Sequence, residues 1–130
     1  TNNSGQNQIV AFGYPKWSVT NAITAAAGGG ATNAVLLTSA VNRVTVVATA
    51  NDSVKLPPCV AGAGAGMANT VGVPVWVINA DATDSMDVFP STGDRINLLT
   101  ATTGQFAVVA GKSALFVCTV AGTWNSLLGA

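Results

Sequence analysis

The residues best suited to chemistry are few. They are Asp52, Asp81, Asp84, Asp87 and Asp94, the cysteines Cys59 and Cys118, and five Lys or Arg side chains. There is no His and no Glu. Without an imidazole base, Ser-His-Asp and Cys-His nucleophilic machinery is excluded. The usual zinc sets also fail, because there is no His and no Cys-x-x-Cys pair. Asp81, Asp84 and Asp87 form the one carboxylate cluster, and three carboxylates so close could contribute to a hard-cation site. They lack the spacing and the shaping glycine of an EF-hand loop. Their setting among Asn, Thr and Ser points instead to a solvated turn in which carboxylates bond nearby backbone amides. The chain therefore reads as a non-enzyme with no cofactor.

The wider composition narrows the partners. Charged residues make up 8% of the 130 residues and the formal net charge is zero. Five scattered basic residues do not form the positive stripe that nucleic-acid binding requires. No apolar run approaches the length of a membrane helix. The first residues lack a basic segment followed by an apolar run, so no signal peptide is expected. With no mark of secretion, two reduced thiols are favoured at Cys59 and Cys118, although one bridge between them is possible. Hydrophobic residues reach 49% and the mean hydropathy is +0.48, which suits a chain whose apolar surface is covered by other subunits or a small Ala- and Gly-rich core.

The elements that would position such residues are mostly strands. Thr1–Gln8 is polar and Asn-rich, and is expected to be disordered or an extended arm. Ile9–Trp17 is aromatic and broken by Gly13 and Pro15, so it is no helix. Its Ile9, Val10, Phe12, Tyr14 and Trp17 either tuck under their own domain or are candidate contacts to a partner or a neighbouring subunit, since large aromatics serve as interface anchors. Ser18–Ala27 fits helix or strand, and Gly28–Gly30 ends it. Val35–Ala50 and Ser53–Leu56 read as a hairpin stopped by Pro57-Pro58. Ala61–Gly72 is a low-complexity loop. Val73–Asn97 reads as a central hairpin, with Val75, Val77, Val88 and Phe89 in the core and Asp81 to Asp87 at a wet tip. Lys55, Arg95 and Lys112 read as solvated edge charges that block unwanted strand pairing. Ser113–Val120 and Thr123–Leu127 are strands joined at Ala121-Gly122. Trp76 and Trp124, set in apolar strands, are expected to be buried. Strands recurring at this spacing predict an all-β sandwich or barrel.

Several segments together resemble small virion proteins of tailed bacteriophages. They are Asn51-Asp52-Ser53-Val54-Lys55-Leu56-Pro57, Val75-Trp76-Val77-Ile78-Asn79 and Val88-Phe89-Pro90-Ser91-Thr92-Gly93-Asp94-Arg95-Ile96-Asn97. Ala110 to Phe116 and Trp124-Asn125-Ser126 complete the pattern. The resemblance is to capsid decoration, or cement, proteins, and the longer Ala61–Gly72 loop departs from it. It implies a single β-sandwich or jelly-roll-like domain over 34–130, with an N-terminal arm and connector over 1–33. It also implies a homotrimer on the outer capsid surface, bound to the major capsid protein with those arm residues as candidate capsid contacts, and found in the virion and, during assembly, in the host cytoplasm. Similar modules occur in tail fibres and spikes, where an exposed Trp beside polar groups would suit a receptor or glycan. The pattern carries no catalytic residue.

Overall fold

The computed structural model describes residues 16–62 and 70–128. Among them every element is a strand: β1 (Val19–Thr24), β2 (Val35–Leu36), β3 (Val41–Val46), β4 (Ser53–Lys55), β5 (Pro74–Asn79), β6 (Met86–Phe89), β7 (Arg95–Ile96), β8 (Phe106–Val108), β9 (Ser113–Val120) and β10 (Thr123–Leu128). β-Branched residues supply most of β1 and β3 and half of β5, which suits a pleated surface. The class is all-β, as expected, and the Ser18–Ala27 ambiguity resolves as strand.

Two sheets form. One has the order β1-β3-β5-β9-β10-β7 and the other β2-β4-β6-β8. From β1 to β6 the chain alternates between them. Successive strands within each sheet lie parallel: β1, β3 and β5 in the first, β2, β4 and β6 in the second. The chain thus winds as a two-sheet coil. β8 then closes antiparallel on β6, and β9 antiparallel on β5. Parallel neighbours in both sheets depart from the antiparallel pairing of a jelly roll.

This winding corrects both hairpins expected upstream of β7. β4 lies in the other sheet from β3, and β6 in the other sheet from β5. The turn residues sit where expected, but they carry the chain between sheets instead of reversing it within one. The β9–β10 hairpin forms as read, with Val120 opposite Thr123 around Ala121-Gly122. Lys55 lies on an interior strand, so it guards no edge, whereas Arg95 does lie on the edge strand β7.

One core fills the space between the sheets. Val44, Val75, Val77, Phe116 and Trp124 face it from the six-stranded sheet, and Val54, Met86, Val88 and Val108 from the four-stranded one. Phe106 of β8 meets Phe116 of β9 edge-to-face at 5.4 Å between ring centres. Val75, Val77 and Val88 belong to this core, as the sequence reading placed them, whereas Phe89 is buried on the other side of β6, the side of Asp87.

A disulfide joins Cys59 to Cys118, correcting the expectation of two free thiols. The segment after β4 crosses from the four-stranded sheet to the start of β5, and its Cys59 meets Cys118 on β9. Gly122 N donates to Cys59 O at 2.7 Å, and Gly72 N to Cys118 O at 2.7 Å, so the backbone fixes both partners. The sequence gap of 59 residues hides a proximity that only the crossover creates.

Candidate interaction face

The aspartates and buried asparagines hold turns. Asp52 accepts from Gly28 N at 3.1 Å and Thr49 N at 3.1 Å. Asp94 accepts from Cys59 N at 2.7 Å. Asn79 donates to Asp84 O and Val108 O, both at 2.9 Å, and accepts from Asp81 N at 3.1 Å. Asn42 donates to Ser39 O at 2.7 Å and Trp76 O at 3.3 Å. Asp81 accepts from Thr83 N at 2.9 Å, Asp84 N at 3.1 Å and Val47 N at 3.2 Å. These amides, Thr83 foremost, hold the Asp81 carboxyl down to about 2. Asp87 departs from the wet-tip expectation. It lies in β6, is buried, and has its pKa raised by that burial.

The two outer faces differ. On the four-stranded sheet, Ser53 and Asp87 stand opposite one another on the side away from the core and are both buried. Part of the cover is the triple-glycine turn, because Ser53 Oγ donates to Gly30 O at 3.1 Å. The approach is close at Gly29, where φ is +65° and an added Cβ would lie 2.8 Å from Asn51 O. That contact explains why a residue without a side chain is needed there.

The outer face of the six-stranded sheet is bare and apolar. Register aligns Val19 with Val41, Val41 with Trp76, Trp76 with Leu115, and Leu115 with Leu127. Aligned residues share a face, so one apolar row crosses five strands, about 20 Å at the usual strand spacing. Val19 is 63% exposed, Trp76 38% and Leu127 68%. Ile78 lies beside Arg43, and Val117 beside Pro74, extending the patch. Arg43, two residues along β3 from Val41, donates to Asn21 Oδ1 at 3.1 Å. Contiguous apolar surface of this kind marks contact sites.

Of the arm residues singled out from sequence, Trp17 is 46% exposed beside the start of β1. Ile9, Val10, Phe12 and Tyr14 lie outside the described residues. Sequence reasoning missed the outer row. Trp76 was expected to be buried, yet it faces outward, while Trp124 is fully buried. The run Val75-Trp76-Val77-Ile78 is apolar on both faces, so its alternation does not say which face is covered. The missing signal was register, which no single strand carries. Comparison with protein-family models, with curated proteins and with solved structures found no match.

Proposed function

We propose that this protein is a non-enzymatic structural component of a bacteriophage virion, a decoration or cement protein on the outer capsid surface. The observation that carries the reading is the apolar row Val19–Val41–Trp76–Leu115–Leu127 across one sheet face. The sequence resemblance supplies the setting. In this reading the two sheets are the layers of a sandwich, and the bare face packs against neighbouring copies in a homotrimer. The arm, with Ile9, Val10, Phe12, Tyr14 and Trp17, reaches the major capsid protein. Joining several weak sites raises their combined affinity through effective concentration. Contacts built on apolar burial also persist across salt concentrations, which suits a chain with so few charges.

The residues directly opposite Trp76 are Val41 and Leu115, both apolar, which favours a protein surface over a sugar at this position. The test is to mix purified protein with heads of the encoding phage that lack it. Sedimentation with the heads is expected for the full chain. Deleting residues 1–17 should abolish it while the remainder keeps its unfolding transition. Unchanged sedimentation of the truncated chain would overturn the arm's role, and failure of the full chain to bind would overturn the decoration reading.

A further inference from the structure

The disulfide joins two cysteines in unlike settings. Cys118 lies within β9 and is held on both sides. Trp124 of β10 stands opposite it. On the other side Gly72 N donates to Cys118 O at 2.7 Å, and Cys118 N donates to Val73 O at 3.4 Å. Its side chain is part of the core. Cys59 lies outside any strand, past the end of β4 at Lys55. Two bonds hold its backbone. Cys59 N donates to Asp94 Oδ2 at 2.7 Å, and Gly122 N donates to Cys59 O at 2.7 Å.

None of these bonds uses a sulfur atom. The same contacts therefore hold the two residues together when both are thiols. Their Cα atoms lie 5.6 Å apart, within the span that a disulfide bridges. Both cysteines are buried, so a reagent meets either sulfur only after an opening. Reaching Cys118 means parting β9 from its neighbours on both sides. Reaching Cys59 means releasing one carboxylate contact and one turn contact, which is a local opening of lower cost.

We infer that Cys59 is the reactive thiol of a lock that closes after the chain has folded, with a small-molecule disulfide as oxidant and Cys118 as the resolving thiol. The Cys59 thiolate attacks one sulfur of the small disulfide. One small thiolate leaves and takes up the proton that Cys59 lost, and a mixed disulfide remains on Cys59. As the segment closes, the Cys118 thiolate displaces the second small thiol, which takes up the Cys118 proton. The chain gives up two electrons and two protons, and the small disulfide becomes two thiols. The finished bond ties the segment to β9 and removes the opening through which it formed. Such a lock suits a chain that folds among reduced thiols and works away from them. It goes beyond the virion reading and does not rest on it.

Pulsed alkylation tests the order of reaction on the full chain. The protein is reduced in urea, refolded with its thiols kept reduced, and given brief pulses of iodoacetamide before peptide mapping. The refolded chain should keep a dispersed amide NMR spectrum, and Cys59 should be alkylated at least about tenfold faster than Cys118. A collapsed spectrum would overturn a lock that follows folding. Equal rates, or Cys118 first, would overturn the role of Cys59. Oxidised glutathione gives a second reading, by mass, of the attacking thiol. Cys118→Ser should take up glutathione at least about tenfold faster than Cys59→Ser, and the reverse order would overturn the assignment. Failure of head binding would leave these results untouched, so the two proposals fall separately.

Discussion

The two sheets treat their outer faces in opposite ways. The four-stranded sheet buries a serine and an aspartate on its outer side, the serine bonded to a glycine turn of its own chain. The six-stranded sheet leaves a tryptophan, leucines and valines uncovered. In a monomer this would be the wrong way round, since burying a carboxylate costs free energy and exposing a broad apolar face invites association. The difference teaches where the chain closes on itself and where it leaves apolar surface exposed. Polar side chains spend their bonding on internal turns, and apolar ones are left on the outer face of the larger sheet.

The largest expected effect concerns the link between the two sheets. The disulfide closes a loop of 59 residues, for which loop-closure entropy gives about 4 kcal/mol. Cys118→Ser should lower the unfolding free energy by about that amount in denaturant titrations. A change below about 1 kcal/mol would show that the crossover is held by Asp94 and the backbone alone.

Next come substitutions that set the two faces against each other. Gly29→Ala forces a Cβ against Asn51 O at a positive φ, and should cost about 2 kcal/mol or more of stability. Trp76→Lys should do the reverse. It should leave the unfolding free energy of the monomer within about 0.5 kcal/mol but weaken self-association by about 30-fold, a typical loss for an aromatic anchor. If Trp76→Lys unfolds the chain and leaves association intact, the faces have been assigned the wrong way.

Much of this was legible in the residues. Ser113–Val120 is a long apolar run, and an Ala-Gly turn leads to Trp124, so β9–β10 reads as the pair of joined strands it is. Asx chemistry located the turns at Asp52, Asp81 and Asp94. What could not be read was destination. Asn79 ends β5 with residues that would equally close a hairpin. Its side chain instead bonds Val108 O on β8, across the molecule, and the chain passes to the other sheet. The exposed row was hidden for the same reason, because it exists only once five separate strands are in register.

Smaller effects lie in the carboxylates. Asp87 has a folded pKa above its ordinary value because it is buried. Its ionisation therefore opposes folding, with the cost absent below the unfolded pKa near 3.9 and complete once pH exceeds the folded value. Asp87→Asn should be more stable than the parent at pH 7 and gain nothing at pH 3. Asp81 works with the opposite sign. Its folded pKa of about 2 lies below the ordinary 3.8, so its contribution is full above about pH 4 and is lost as pH falls toward 2. In Asp81→Asn that part of the acid profile should flatten.

Imaging of intact particles by electron cryomicroscopy tests the central claim most directly, because it shows at once where the chain sits and which face is covered. Copies grouped in threes on the outer head surface, with their six-stranded sheets turned toward one another and Trp76 buried, are the expected result. Single copies with that sheet facing solvent, or density confined to the tail, would contradict it.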